Sequence, residues 1–269
     1  MPAIDPQELN AMVSSVPSWW HSIDLGSGVT TPGLKTAESL ASMLTAMNLP
    51  PLAGKSVLDV GAWDGFFSFA AERRGAARVV ALDHYVWSMD LVAQVRHFHE
   101  CYAQGRKPPQ WETVPEVWRP QELPGKRGFD TVHQALGSRV ESKVADFMTV
   151  DLAELGIFDV VFYLGVLYHM KNPLAALERL ARVTAELAVI ETTAVAVPGF
   201  EERALCEFYE SDELNLDVTN WWGPNLKALH GLCRAAGFSR VETRVGPDDF
   251  SGLTAGEVHR FRAIVHAWK

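Results

Sequence analysis

Residues 55–85 read KSVLDVGAWDGFFSFAAERRGAARVVALDHY, and this stretch decides the fold. An apolar run ends in a turn bounded by Gly61 and Gly65, and the apolar residues after the turn recur at helical spacing. A second apolar run ends on Asp83. The pattern predicts a strand, a turn, a helix and a second strand, which together form a βαβ unit. We predict that Asp64 caps the amino end of the helix.

The turn and the second strand together suit a nucleoside ligand. Glycines at 61 and 65 permit backbone angles that other residues avoid, and they let the chain approach a ligand closely. Asp83 falls at the carboxyl end of the second strand, where an acid can accept hydrogen bonds from both ribose hydroxyls. The spacing departs from the G-x-G-x-x-G turn that cradles a pyrophosphate. A structural turn in another kind of α/β protein is the alternative.

Composition limits the class of protein and of partner. The chain has 269 residues, 48% of them hydrophobic, which suffices for one large α/β domain with a sizeable core. It carries 24 basic and 33 acidic residues, and the net charge of −9 argues against a general nucleic-acid surface. The three cysteines form no C-x-x-C pair, so we expect neither disulfide nor zinc, and a cytoplasmic location.

Targeting, membrane and metal signals are missing from the sequence. The first residues, MPAIDPQELNAMV, lack the basic region followed by an apolar region that is typical of a signal peptide. No apolar run approaches the ~20 residues that span a bilayer. No group of His, Cys, Asp and Glu has metal-ligand spacing, so we predict no catalytic metal.

The chain divides into a short N-terminal region, 1–50, and a larger ligand-binding domain, 51–269. Within the N-terminal region we predict helices at 6–16 and 34–49. Between them lies the segment Trp19–Gly33, which is rich in Gly, Ser and Thr and begins with aromatic residues. This segment is either a lid that closes over a ligand or a strap packed on the core.

An insertion of about 86–138 follows the second strand, and further strands and helices follow the insertion. A third strand ends in Asp146 and Phe147, with Asp146 as an alternative helix N-cap. The near-continuous apolar run at 158–164 suits a strand buried on both faces. The remaining predicted elements are helices at 87–103, 129–136, 173–183 and 225–236 and strands at 140–145, 187–192, 239–245 and 261–268, the last two antiparallel.

The sequence DVGAWDG, which starts at Asp59, resembles motif I (hxDxGxxxG) of class I S-adenosylmethionine (SAM) methyltransferases. Asp83 matches the ribose-binding acid of that family, and Asp146 with Phe147 matches its adenine contacts. The resemblance implies a Rossmann-like α/β fold with a seven-stranded sheet, helices on both faces, and SAM as the cofactor. The cofactor-binding residues that it implies are Asp59, Gly61, Ala62, Trp63, Gly65, Asp83, His84, Asp146, Phe147 and Leu164.

Two later stretches narrow the resemblance. GVLYHMKNPL at 165–174 and WWGPNLKALHGLCRAAGF at 221–238 resemble the group that contains the wobble-uridine carboxymethyltransferases of tRNA. Three departures weaken the match: only about fifty residues precede motif I, Met170 and Lys171 replace an arginine, and residues 28–33 replace a Trp- and Lys-bearing stretch. That stretch helps the tRNA enzymes hold the carboxylate of carboxy-SAM, so ordinary SAM is the favoured donor here.

Methyl transfer to a hydroxyl or a protonated amine also requires a base. His169 is the first candidate, since it follows the fourth strand and histidine titrates near neutral pH. Its alternative role is a structural contact. His133, His21 and His84 are weaker candidates, and Glu191 is either a further pocket residue or a solvated acid at a strand end.

Aromatic residues supply a predicted acceptor pocket, whose members are Trp19, His21, Tyr168, Trp221 and Trp222. The tryptophan pair is alternatively part of the core, and Asn225 after it is alternatively a helix cap. The favoured function is O-methylation of a small molecule, such as a natural product or a sugar. Modification of tRNA and silent SAM binding are the alternatives, and the sequence predicts no oligomeric state.

Overall fold

The computed structural model describes residues 4–120, 122–247 and 254–269. The first three residues of the predicted N-terminal region and residue 121 of the predicted insertion lie outside the described residues. In the described ranges, no helix has the length and apolar character needed to cross a membrane.

The chain forms two compact units, the first made of Met1–Thr45 and Leu49–Phe147, the second of Ala46–Asn48 and Met148–Lys269. The boundary predicted at residue 50 stays a prediction. Up to residue 147 the elements are α1 (Pro6–Ser14), α2 (Ala37–Met47), β1 (Ser56–Val60), α3 (Phe66–Arg73), β2 (Arg78–Asp83), α4 (Leu91–Ala103), α5 (Arg127–Leu136) and β3 (Glu141–Val144).

The first unit contains a parallel three-stranded array. β1 pairs with β2 and β2 pairs with β3, both in parallel, and Asp83 at the end of β2 lies opposite Val144 at the end of β3. β1 and β2 are almost wholly buried, and the first six residues of α3 are buried as well, because an apolar helix follows the glycine turn directly. The carboxyl ends of the three strands therefore share one edge, as the βαβ unit predicts.

Two predicted helix caps are wrong. Gly65, with φ of +84°, is the N-cap of α3, and it makes no side-chain capping bond. The Asp64 carboxylate instead accepts hydrogen bonds from the segment that begins at Trp20. No helix begins at Asp146, because the next helix starts after Asp151, whose carboxylate accepts from the Ala153 N–H. At Asp64 the adjacent Gly65 takes the cap position, whereas no helix follows Asp146 directly.

The second unit holds two sheets. Its elements are α6 (Leu152–Leu155), β4 (Phe158–Leu164), α7 (Pro173–Val183), β5 (Thr184–Ala196), β6 (Cys206–Phe208), β7 (Trp222–Pro224), α8 (Leu226–Ala235), β8 (Arg240–Val245) and β9 (His259–Trp268). β4 runs parallel to β5, whereas β9 lies between β5 and β8 and is antiparallel to both, pairing with β5 along ten residues. The predicted antiparallel pair is confirmed, and so are the bounds predicted for β4 and α7.

The hairpin of β6 and β7 was not predicted. Each strand has three residues, which is too short for an alternating pattern to emerge. Apart from this hairpin, the three strands of the first unit and β4, β5, β9 and β8 of the second make up the seven strands of the predicted α/β fold.

Candidate functional site

The glycine turn lies at the carboxyl end of β1. The Gly61 N–H donates to the Leu82 carbonyl at 2.8 Å, and the Gly61 φ of +77° is the left-handed conformation that favours glycine. Gly65 also has a left-handed φ, of +84°, and a Cβ there would lie 2.5 Å from the Phe69 ring and 2.7 Å from the Phe129 ring. Both glycines therefore turn the backbone, and the second also lets two phenylalanines pack against it.

Asp83 occupies the place predicted for the ribose-binding acid. The residue is 4% exposed, and its two carboxylate oxygens accept the Trp63 N–H and the Val86 N–H, each at 3.0 Å. Burial raises the pKa of Asp83, and the backbone donors oppose that rise. A carboxylate offers about four acceptor positions, so the two close bonds leave capacity for ribose hydroxyls. The acid and its position fit a nucleoside.

Asp146 and Phe147 follow β3 at the same edge. The Ala145 N–H donates to the Asp83 carbonyl at 3.2 Å, which places the end of β3 beside the predicted ribose acid. Phe147 is buried and Asp146 is partly exposed. The positions predicted for ribose and adenine contacts are therefore neighbours in the first unit, as a nucleoside requires.

Asp59 has a structural position inside the strand. It is 2% exposed, and the Ser68 hydroxyl donates to it at 2.6 Å. Burial raises its pKa to about 7, and the hydrogen bond from Ser68 opposes the rise. The acid joins β1 to α3, and Ala62 in the turn is buried as well.

The segment Trp19–Gly33 is held on the glycine turn through Asp64, and we call it the strap. One Asp64 oxygen accepts the Trp20 N–H at 3.0 Å and the His21 N–H at 2.8 Å, while the other bonds His21 Nδ1. The Trp20 ring stacks on the Trp63 ring of the turn with centroids 4.7 Å apart. Whether this segment acts as a lid or as a fixed strap stays a prediction, and the bonds to Asp64 and the ring stacking describe its position on the turn.

Two residues predicted for the acceptor pocket belong to the interior of the strap. Trp19 is 4% exposed and donates from Nε1 to the Val13 carbonyl at 3.2 Å. His21 is 5% exposed and has the bond to Asp64 described above. An acceptor could reach either ring only if the strap moved.

Tyr168 lies in a charged cluster of the second unit, together with Glu191 and Arg262. Arg262 makes a bidentate pair with Glu191 and donates to the Thr193 hydroxyl at 2.9 Å. Its guanidinium lies 4.7 Å from the centre of the Tyr168 ring. Burial alone would lower the pKa of Arg262, but the charge of Glu191 keeps it above its usual value.

The prediction that Glu191 is a solvated acid is wrong. Its side chain is 5% exposed, because the arginine from β9 replaces water as its partner. Gly165 lies against the same cluster and has a φ of +76°. A Cβ at this position would lie at van der Waals distance from the tyrosine hydroxyl and from both charged groups. Sequence reasoning missed Arg262 because its partner lies far away in the chain.

His169 lies in a short 3-10 turn after β4, in a fixed orientation. Its Nδ1 is 3.0 Å from the Thr219 carbonyl and 3.0 Å from the Thr219 hydroxyl oxygen. A carbonyl only accepts, so Nδ1 carries the proton and Nε2 keeps its lone pair. Burial lowers the pKa of His169, while the charge of Asp217 opposes that shift. The neutral ring at pH 7 matches what a base requires.

The weaker base candidates have other partners. His133 Nε2 donates to the Val140 carbonyl at 3.0 Å, and the His84 ring lies edge-on to Trp118 at 5.2 Å. His21 is bonded to Asp64. Of these four histidines, His169 is the one that follows β4, and two acceptor oxygens of Thr219 fix its tautomer.

The tryptophan pair and Asn225 lie around the β6–β7 hairpin. Trp222 donates to the Lys171 carbonyl at 3.3 Å, and both tryptophan rings contact the Phe208 ring. Asn225 is the N-cap of α8, since its oxygen accepts the Ala228 N–H at 2.8 Å. Leu164, the last residue of β4, is partly exposed.

Metal chemistry gains no support from the described ranges. Within residues 4–120, 122–247 and 254–269, no group of three or more His, Cys, Asp or Glu side chains could hold a metal ion.

Comparisons with known proteins identify the family of the chain. The family described as "Methyltransferase domain" matches residues 35–243. A tRNA U34 carboxymethyltransferase from Ectopseudomonas mendocina (strain ymp) is 29% identical over 219 residues, covering 79% of this chain and 54% of the relative. The Helicobacter pylori (strain G27) enzyme of the same name is 27% identical over 198 residues, covering 72% and 60%. The chain therefore spans three fifths or less of the length of these curated relatives.

Solved structures agree with the fold. The N-terminal domain of EvdMO1, crystallised with SAH bound, superposes with a TM-score of 0.60 at 19% identity and covers 99% of this chain and 98% of that one. The same domain in the presence of SAH and D-fucose gives a TM-score of 0.58 at 20% identity, covering 99% and 97%. The predicted seven-stranded Rossmann-like fold is confirmed.

Proposed function

The chain belongs to the methyltransferase-domain family of class I enzymes, and from this membership we propose that it transfers a methyl group from SAM to an oxygen of a small molecule, such as a natural product or a sugar. SAM supplies a methyl group already activated on a sulfonium. The protein has to hold the nucleoside, align the acceptor and accept a proton.

The observation that carries the cofactor proposal is the position of Asp83. It ends β2 beside the glycine turn and beside Asp146 and Phe147 at the end of β3. A buried carboxylate with spare acceptor positions in this place fits the two hydroxyls of a ribose. The same contacts would hold SAH, the demethylated product.

The tautomer of His169 supports an acceptor that must lose a proton. Nδ1 donates to a carbonyl, so Nε2 is the nitrogen that can accept a proton from a hydroxyl. Burial lowers the pKa of this ring, which keeps it neutral near pH 7. A positioned base of this kind contributes about 10²–10⁴-fold to a rate.

The cofactor assignment is tested by calorimetry with SAH. Asp83→Asn keeps the size of the side chain and one acceptor oxygen but removes its charge. We expect SAH affinity to fall by about 1–3 kcal/mol, as for a hydrogen bond to a charged group. Asp151→Asn, at the exposed cap of α6, is the matched control and should leave affinity unchanged. Wild-type affinity in Asp83→Asn would remove the ribose assignment.

A tRNA substrate is the second candidate, because the curated relatives above are tRNA U34 carboxymethyltransferases. The net charge of −9 favours the small molecule. Labelled SAM or carboxy-SAM should be incubated with tRNA and, separately, with a set of hydroxylated metabolites. Label in tRNA, with binding that weakens steeply as salt rises, would favour the second candidate. SAH binding without transfer to any acceptor would favour a silent SAM-binding protein.

We further propose that 51–269 forms the SAM-binding domain and that 1–50 covers it as a lid or strap. Hydrogen exchange of Trp19–Gly33 with and without SAH separates the two roles. A ligand-dependent gain in protection supports a lid, and equal protection supports a fixed strap.

A further inference from the structure

A chain of hydrogen bonds continues from His169 into the loop before β7. The Thr219 hydroxyl donates to Asp217 Oδ1 at 2.7 Å, and the Thr219 N–H donates to the same oxygen at 2.9 Å. The hydroxyl proton is thereby directed at the carboxylate, and the hydroxyl oxygen can only accept from His169 Nδ1 at 3.0 Å. The three side chains form one series of hydrogen bonds, in which His169 donates to Thr219 and Thr219 donates to Asp217.

We infer that Asp217 and Thr219 are positioning residues that set the tautomer, the orientation and the basicity of His169. The inference rests on the proposed function, in which His169 takes a proton from the acceptor. Both oxygens of Thr219 that face the ring accept from Nδ1, one of the main chain and one of the side chain. When Nε2 takes a proton, the ring becomes a cation whose Nδ1–H points toward the carboxylate through a single hydroxyl.

The backbone before Asp217 supports this role. Asn215 and Leu216 are consecutive non-glycine residues with φ of +58° each, a conformation that is uncommon and strained for a branched, apolar side chain. Leu216 is 57% exposed, so its own burial does not explain the strain. Strain of this kind persists where the surrounding structure fixes it, and it is frequent at functional sites. Here it sets the entry of the chain into the Asp217–Thr219 turn.

The charges around the ring define the expected electrostatics. Asp217 favours the protonated ring, while the Arg262 guanidinium and burial disfavour it. The Tyr168 ring lies 4.2 Å from the His169 ring, centroid to centroid. Burial and the arginine lower the pKa of His169, and Asp217 is the charge that opposes them.

Nitrogen-15 NMR on protein with labelled histidine tests the inference without knowledge of the acceptor. His169 should show a protonated Nδ1 and an unprotonated Nε2 in its neutral form. His266 is an internal reference of opposite tautomer, because its Nε2 donates to the Met47 carbonyl at 2.9 Å and its Nδ1 accepts from Arg244. In Asp217→Asn, a pH titration should show the His169 pKa below that of the wild type.

Two substitutions at one position separate positioning from packing. Thr219→Ser keeps the hydroxyl and should keep the wild-type tautomer and pKa. Thr219→Val keeps the shape and the carbonyl but removes the hydroxyl, so it should lower the His169 pKa as Asp217→Asn does. Dispersed amide spectra, together with an unshifted His266 signal, will show that each variant is folded.

Defined results would overturn the inference. Any one of three results is sufficient: a neutral His169 that is protonated at Nε2, an unchanged His169 pKa in Asp217→Asn, or equal His169 pKa values in Thr219→Ser and Thr219→Val. SAH calorimetry on the same samples reports separately on the proposed function. Absence of SAH binding in the wild type would reject the methyltransferase proposal while leaving the measured tautomer and pKa to decide the role of Asp217 and Thr219.

Discussion

Replacement of Asp64 by alanine should detach the strap from the glycine turn. The Asp64 side chain is 3% exposed and accepts three donors, the main-chain N–H groups of Trp20 and His21 and the His21 ring nitrogen. A buried donor left without an acceptor costs about 1–3 kcal/mol. Water can enter part of the vacated space, so we expect a loss of about 3–5 kcal/mol in the free energy of unfolding.

Asparagine at the same position provides the sharper comparison. Its oxygen can accept both main-chain N–H groups, and its amide can donate to His21 Nδ1 if the ring proton moves to Nε2. We expect Asp64→Asn to cost under about 1.5 kcal/mol, the size of an ordinary hydrogen bond. Asp151→Ala is the control for loss of a carboxylate with one backbone donor, and its expected cost is about 1 kcal/mol.

Chemical denaturation and hydrogen exchange together measure the effect. In Asp64→Ala, amides of the strap should exchange faster than in the wild type, while amides of β4 and β5 should keep their protection. If Asp64→Ala loses no more stability than Asp151→Ala, or if exchange of the strap is unchanged, the three bonds to Asp64 do not hold the strap.

Three further predictions concern buried charge and close packing. Burial raises the pKa of Asp59 from 3.8 to about 7, so its contribution to stability is full below pH 3.8 and is lost as pH rises through about 7. In pH-dependent denaturation, the free energy of unfolding of Asp59→Asn relative to the wild type should therefore increase across that range, by at most about 4 kcal/mol. Glu191→Gln breaks the bidentate pair with Arg262, in which the glutamate is 5% and the arginine 42% exposed, and should cost about 1–3 kcal/mol of stability. Glu141→Gln breaks an exposed pair and should cost under about 1 kcal/mol. Equal losses of stability would contradict the burial argument. Gly33→Ala would place a Cβ 2.0 Å from a main-chain carbon, whereas a Cβ at Gly28 meets no atom within 4 Å. Gly33→Ala should therefore destabilise the protein far more than Gly28→Ala, for which we expect about 1–2 kcal/mol. Similar melting curves for the two variants would refute this prediction.

The sequence predicted the elements that local patterns define. The alternation of apolar runs, glycines and helical spacing predicted the βαβ unit, and the bounds predicted for β4 and α7 are those of the structure. The edge position of Asp83 followed from its place at the end of a strand. These predictions needed only neighbours in the chain.

The missed features depend on partners that are distant in the chain. Asp64 lies in the sequence where a helix cap is expected, and only the folded strap shows that its carboxylate accepts the Trp20 N–H instead. Glu191 has the pattern of a solvated acid until β9 brings Arg262 to it. The Asp217–Thr219 turn was within reach of sequence reasoning, because an aspartate side chain commonly accepts from the backbone two residues on, but nothing local ties it to His169.

The antiparallel position of β9 also constrains how the chain folds during synthesis. β9 lies between β5 and β8, yet it is made after both, and its pairs run from Ala196 with His259 to Leu187 with Trp268. Until residues 259–268 leave the ribosome, β5 has an open edge and β8 has no strand to join. Unpaired edges invite association with other chains, and such long-range pairing is slow. The second unit therefore keeps unpaired strand edges until later in synthesis than the first unit, whose parallel strands are complete by residue 144.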